Sequence, residues 1–323
     1  FYIILIFLIG ITMFAPVIEG SQRWICIGPF CFQPSELGKI LYISSMARFF
    51  SDNYSKNDFS IYLFFILFLS LIPPLLIIKQ PDLGTAISYL CVVLPILYWS
   101  NTRAYIIFFI ISPIFSIFAT YQLWVYYLWM FLFFIILVVS RPKFSIAIFN
   151  FILNIVFAIS APYIWHNFLT PYQQDRIRTF LNPMLDPLGS GYQVIQSITA
   201  IGSGGLWGKG LGEGTQTQLR YLPVRDTDFI ISVIGEEMGL FGIFIILISL
   251  LIMLYWIITY AGIISNRFSS LILIGFSSIF FIHMAVNMGM TVGVLPVTGL
   301  PAPFISYGGS FLLTCVLILA IAN

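Results

Sequence analysis

LWVYYLWMFLFFIILVVS, residues 123–140, is a run of apolar and aromatic side chains with no charge in it, bounded by Gln122 and Arg141. As a helix it rises about 27 Å, close to the thickness of a bilayer's hydrocarbon core. Nine further runs read in the same way: about 1–18, 36–50, 60–78, 83–100, 104–119, 144–163, 229–260, 269–291 and 303–322. Backbone groups in lipid must be satisfied within the segment or within a closed barrel. The runs are continuous and do not alternate, which excludes a barrel and predicts helices. The expected fold is all-α: a polytopic membrane protein of about ten transmembrane helices.

Composition agrees. Of 323 residues 60% are hydrophobic and only 8% charged, 14 Lys and Arg against 12 Asp and Glu. Soluble domains carry about 25% charge. A soluble globular enzyme, a disordered chain and a nucleic-acid binder with a basic face are thereby excluded. Four Cys without CxxC spacing and two His argue against structural zinc. Cys26 and Cys31 share one short polar loop, but a six-residue segment rarely needs a staple, so a disulfide there is not expected. The chain opens at Phe1 inside an apolar run without an initiator Met. That is expected of a sequence with its N-terminal part removed, not of a signal peptide.

Charge placement orients the spans. One set of short loops holds Arg48, Lys56, Arg103, Arg141, Lys143 and Arg267, and reads as cytoplasmic. The other short loops hold Arg23 and Lys79 and share their side with the loop 291–302 and the long segment 164–228. This divides the chain into N-terminal transmembrane helices at 1–163, a long extracytoplasmic loop at 164–228 and C-terminal transmembrane helices at 229–323. The long loop holds ten of the 26 charges and nine of the 24 Gly. Val194, Ile195, Ile198 and Ile201 recur at helical spacing there and predict short helices lying at the membrane interface. The glycines from Gly202 to Gly214 predict tight turns and close backbone approach.

Five constellations carry chemistry. In Phe32-Gln33-Pro34-Ser35-Glu36-Leu37-Gly38-Lys39, Glu36 and Lys39 share a helix face. They either lock helix packing as an internal pair or line a polar cavity. In Gln80-Pro81-Asp82-Leu83-Gly84-Thr85, Asp82 suits a helix cap and could face the same cavity. Tyr172 to Arg178 brings Arg176 and Arg178, whose forks suit phosphate or carboxylate as well as lipid headgroups. Asp228 stands at the border of the polar loop and an apolar run, where a carboxylate is a candidate base or metal ligand as well as a cap. Glu236 and Glu237 follow two turns on, and at least one should be paired or protonated. Asn287 to Ser310 is dense in Gly and Pro, which must line a cavity or be covered by protein. His283 lies one turn before Asn287 on the same face and reads as a hydrogen-bonded packing residue.

In this order the constellations resemble the RodA/FtsW family of shape, elongation, division and sporulation proteins, and its RodA branch most. The residues carrying the resemblance are Arg23-Trp24 and the segment 32–39, 80–85, 186–210, 214–216, 222–230, 235–239 and 287–310. The chain begins at what would be the family's third span and carries extra apolar sequence at 104–163. The resemblance implies a peptidoglycan glycosyltransferase of the bacterial cytoplasmic membrane. Such an enzyme polymerises lipid II into β-1,4 glycan strands at the outer, periplasmic face, for cell elongation and shape, beside a class B penicillin-binding protein that crosslinks the product.

It also implies that Asp228 is the catalytic carboxylate and that Glu36, Lys39 and Arg176 serve the cavity. Chemistry adds Asp82, Lys209, Arg220 and Arg23 on the substrate side, the cations facing the pyrophosphate. Asp228 would act as base or hold a divalent cation, Mg²⁺ or Mn²⁺, with no organic cofactor. The sequence departs from the family pattern at Asp226, where a His is usual, and at Gln174, where an Arg is usual. By composition alone a lipid II flippase fits as well.

Overall fold

The computed structural model describes residues 1–15, 22–28, 30–52, 61–167, 169, 171–187, 189, 191–218, 221 and 226–322. Each of the ten apolar runs carries a helix. The chain forms α1 (Tyr2–Thr12), a hairpin of β1 (Ile25–Ile27) and β2 (Phe30–Phe32), then α2 (Pro34–Asp52), α3 (Ile61–Ile78) and α4 (Leu83–Trp99). Next come α5 (Ala104–Ala119), α6 (Leu123–Ser140) and α7 (Phe144–Asn167). The long polar segment holds α8 (Pro171–Leu181), a 3₁₀ turn at Pro183–Leu185, α9 (Tyr192–Gly204) and the single turn α10 (Thr215–Gln218). It leads into α11 (Ile230–Glu237), α12 (Gly239–Ile263), α13 (Arg267–Thr291) and α14 (Gly309–Ala322).

Among the described residues four of these, α6, α7, α12 and α13, are long and apolar enough to cross a bilayer, and five shorter apolar helices accompany them. Pro73, Pro74, Pro95, Pro113 and Pro162 lie inside helices, as membrane helices tolerate when neighbours satisfy the freed carbonyls.

Two compact units divide the chain: Phe1–Ser100 with Arg176–Asn323, and Asn101–Asp175. In the first, α13 packs against α2, α4 and α12, and 72% of its apolar window is buried within the protein. In the second, α5 packs on α6 and α7. Its interior holds Phe133 among Phe108 and Phe109. A run of polar contacts continues it. Ser116 Oγ donates to Asn154 Oδ1 (2.6 Å), Asn154 Nδ2 to Ser112 Oγ (3.0 Å), and Trp129 Nε1 to Ser116 Oγ (2.9 Å).

Two expectations are revised. The run 229–260 is not one span, because Gly239 adopts φ +67° and separates α11 from α12. A side chain is strained at that φ, and the missing Cβ also lets Leu206 and Gly208 backbone press against it. The new helix start is closed by the glycine-rich turn, where Leu240 N donates to Gly205 O (3.0 Å) and Phe241 N to Leu206 O (3.2 Å). In α9 the face packed into the protein is small, Val194, Ser197, Ala200 and Gly204, while Ile198 stays exposed. Ser197 Oγ reaches both Ser232 Oγ and the Thr291 carbonyl at 2.6 Å, so α9 is pinned to α11 and α13 by hydrogen bonds. Cys26 and Cys31 stand opposite each other in the hairpin and form a disulfide, because cross-strand pairing brings their Cα atoms to 4.0 Å.

Candidate active site

Pro34 begins α2, and one turn later Glu36 and Lys39 meet inside the protein, 4% and 1% exposed. Lys39 Nζ donates to both Glu36 oxygens, at 2.8 and 2.7 Å, and its third hydrogen goes to His283 Nε2 at 2.9 Å. The other ring nitrogen, Nδ1, lies 3.1 Å from the Pro301 carbonyl, which can only accept. That contact assigns the proton to Nδ1 and the lone pair to Nε2. Phe311 stacks on the imidazole at 4.4 Å and lies under the ammonium at 5.3 Å. Every donor of Lys39 is matched, as a charge buried this deeply requires.

Asp82 caps α4, as its place in the sequence suggested. Its Oδ1 accepts from Thr85 N (3.2 Å) and its Oδ2 from Thr85 Oγ1 (2.9 Å). The cap is also a junction. Gln33 Nε2 donates to Oδ2 at 2.8 Å, Gln33 N donates to Ser310 Oγ at 3.1 Å, and Arg23 Nη1 stands 3.9 Å from Oδ2. The Arg23 side chain is about one-third exposed, yet its Nε is buried with no partner among the described residues. Gly84, two residues on, lies so close to the Thr298 carbonyl that a Cβ there would collide with it.

Asp228 sits in the turn before α11. Three consecutive carbonyls of that turn are held from the 287–307 region. Tyr307 N donates to Asp226 O (2.9 Å), Ser306 Oγ to Thr227 O (2.6 Å) and Asn287 Nδ2 to Asp228 O (3.0 Å). The Asp228 carboxylate is aimed at Gly299, whose absent Cβ would lie 3.5 Å from Oδ2. Residues 298–301 thus touch all three groups: Thr298 meets α4 at Gly84, Gly299 meets Asp228, and Pro301 meets His283 and, through it, Lys39.

Glu236 is fully buried and gathers Lys209 Nζ (2.8 Å), Gln216 N (2.9 Å) and Thr215 Oγ1 (3.2 Å) on its Oε1. The expected pairing of at least one of Glu236 and Glu237 is met. Lys209 is therefore committed to a carboxylate two helical turns, about 12 Å, beyond Asp228 in the chain. The backbone of Arg176 lies in α8, but its side chain, and all of Arg220, lie outside the described residues. Among the described residues no three His, Cys, Asp or Glu side chains converge as a metal cage.

The family model for cell cycle proteins of the FtsW/RodA/SpoVE type matches residues 1–129 and 123–323. The chain belongs to that family. Among its relatives, peptidoglycan glycosyltransferase MrdB of Escherichia coli K12 is 34% identical over 318 residues, covering 97% of this chain and 73% of that protein. Peptidoglycan glycosyltransferase RodA of Treponema pallidum is 32% identical over 346 residues, covering 97% and 78%. Of solved structures, a chain from a peptidoglycan synthase complex that coordinates polymerization and crosslinking matches with a TM-score of 0.63 and 26% identity, covering 99% of this chain and 80% of that one. Rod shape determining protein RodA of Thermus thermophilus shares the fold, with a TM-score of 0.54 and 21% identity over 99% and 77%. The protein is a multi-pass membrane protein of the FtsW/RodA/SpoVE type.

Its sequence motifs converge selectively. Asp228 faces Gly299, the Glu36–Lys39 pair reaches Pro301 through His283, and Asp82, with Arg23 beside it, caps α4 two residues before Gly84 meets Thr298, whereas Lys209 joins Glu236. Four residues outside the candidate set complete the junction: Gln33, His283, Asn287 and Ser306. The signal for two of them was present, since His283 and Asn287 are polar, one turn apart and inside an apolar run. Gln33 and Ser306 lie inside the motifs at 32–39 and 287–310, where sequence alone does not separate one polar residue's role from another's.

Proposed function

We propose that the protein is a peptidoglycan glycosyltransferase that polymerises lipid II, with Asp228 as the catalytic carboxylate. The observation that carries this is that residues 298–301 meet a firmly held Asp228 at Gly299, the helix capped by Asp82 at Gly84, and the buried Glu36–Lys39 pair through His283. A carboxylate and cations set in an apolar frame suit a reaction that takes one proton and releases one polyanion.

In that reaction the 4-hydroxyl oxygen of an acceptor GlcNAc attacks the anomeric carbon of a donor MurNAc. The O–H proton passes to an Asp228 carboxylate oxygen. The bond between the anomeric carbon and the pyrophosphate oxygen breaks, and its electron pair leaves with undecaprenyl pyrophosphate. Attack opposite the leaving group inverts the centre and yields a β-1,4 bond. Arg23 meets the departing charge with its exposed face, with Arg176 and Arg220 as further cations. Lys209 contributes less, because Glu236 already holds it. Glu36 and Lys39 act from within, through His283, on the loop that faces Asp228. Were a divalent cation bound, Asp228 and the substrate's own phosphate oxygens would hold it, and it would neutralise the leaving charge. Lipid tails would rest against the apolar outer faces of the helices.

The site faces the outside of the cytoplasmic membrane in this reading, supported by the basic residues of the opposite loops. The duty proposed is cell elongation beside a class B penicillin-binding transpeptidase. The likeness to a chain of a polymerizing and crosslinking complex supports the partner. The test is polymerisation of purified lipid II in detergent by wild type and Asp228→Ala, with EDTA and with Mg²⁺ or Mn²⁺ restored. Glycan polymer from wild type alone is expected. A transporter would make no polymer and would need a sealed bilayer. Rescue of rod shape in cells depleted of their elongation polymerase tests the cellular duty.

A further inference from the structure

Three side chains hold the backbone of 300–302, and two of them, Ser306 and Asn287, also hold the turn at 226–228. Ser306 Oγ accepts from Ala302 N (2.8 Å) and donates to Thr227 O (2.6 Å). His283 spans Pro301 O (3.1 Å) and Lys39 Nζ (2.9 Å). Asn287 Nδ2 donates one hydrogen to Leu300 O (2.8 Å) and one to Asp228 O (3.0 Å). Asn287 connects Asp228 itself to α13. It is fully buried on α13.

We infer that Asn287 is a positioning residue for Asp228: its amide clamps Asp228 O to Leu300 O and so sets where the carboxylate stands against Gly299. This rests on the reading of Asp228 as the catalytic carboxylate. The chemistry of the side chain supports it. Two carbonyls facing one another need a donor with two hydrogens, and a primary amide supplies both from one nitrogen. The reversed amide would set Oδ1 against both carbonyls, which fixes its orientation. As oriented, Oδ1 is buried and meets no partner among the described residues. A buried acceptor left so costs about 1–3 kcal/mol. A Leu would fill the same volume without that cost, so packing does not explain the amide, and its two donors do. A helix that is itself immobilised is the firmest support for a reacting group.

Asn287→Leu, similar in size and without donors, tests the clamp. Misplacing a reacting group by about 1 Å costs on the order of 10²-fold in rate. The expected result is a kcat about 10- to 100-fold lower on lipid II, with KM within about threefold of wild type. Amide hydrogen exchange should also quicken at Ala302, whose N–H donates to Ser306 Oγ, and at Tyr307, whose N–H donates to Asp226 O, beside the clamp. A purely structural role would lower the folded fraction and leave the kcat of the folded enzyme near wild type, which would overturn the proposal. Unchanged exchange would overturn it too. Should the Leu variant not fold, Asn287→Ser carries the test: with one donor it can serve only one carbonyl, so an intermediate kcat is expected and a wild-type kcat refutes the clamp. If wild type makes no polymer, the proposed function falls, while the exchange measurement still decides the clamp.

Discussion

The unit of Phe1–Ser100 with Arg176–Asn323 and the unit of Asn101–Asp175 both bury polar side chains among apolar helices, but of different kinds. In the second unit they are neutral and matched to one another: Ser112, Ser116 and Asn154, with Trp129 joining from α6. In the first they include Glu36, Lys39, Asp82 and Glu236, all 5% exposed or less. That unit also holds buried atoms with no partner among the described residues, Ser35 Oγ, Thr298 Oγ1 and Asn287 Oδ1. Neutral pairs between helices are glue of modest strength. Charges inside an apolar frame cost far more and persist where chemistry needs them. In the function proposed above, the reacting groups all come from the unit that buries charge.

The strongest way to break that contrast is Asp228→Ala. It should lower lipid II polymerisation by at least about 10²-fold, the usual contribution of a general base, with the melting temperature nearly unchanged. Next is Glu36→Gln, which strands the Lys39 charge 1% exposed. Breaking a buried pair this way costs about 3–5 kcal/mol, visible as a lower melting temperature in detergent. The double variant Glu36→Gln with Lys39→Met should recover stability and not activity. Equal activity in the double variant would make the pair mere packing. Lys209→Met should cost less, about 1–3 kcal/mol, because Gln216 N and Thr215 Oγ1 still serve Glu236. Smallest is Asn154→Leu in the other unit, at about 1 kcal/mol with full polymerase activity. Activity lost there would erase the distinction between the units.

Much of this was legible along the chain. All ten apolar runs hold helices, because the thickness of a bilayer and the demand of every backbone N–H are local constraints. The cap at Asp82 was legible for the same reason, since a carboxylate three residues before Thr85 reaches its amide within one turn. The break at Gly239 was not, because the residues on both sides are as apolar as in any span. Only the backbone of 205–208 against it shows why the helix must restart there. The pairing of Glu236 was foreseeable, but not its partner 27 residues upstream. The cysteine bridge was misjudged from loop length, whereas strand pairing decides it.

By itself the sequence determined that the protein is a bundle of membrane helices of the FtsW/RodA/SpoVE family, and which short motifs carry its charges. Apolar length and motif spacing are properties of neighbouring residues, so they can be read in order. Only the tertiary structure decided that residues 298–301 are where those motifs meet. It also decided that Lys39 reaches the loop through His283, and that Asn287 holds Asp228 by its backbone. Each of those contacts joins residues at least 18 positions apart, with the exception of the Asn287–Leu300 bond at 13. Hydrogen bonds of this kind depend on where helices cross, and crossing is set by packing between helices, which no single stretch of sequence contains.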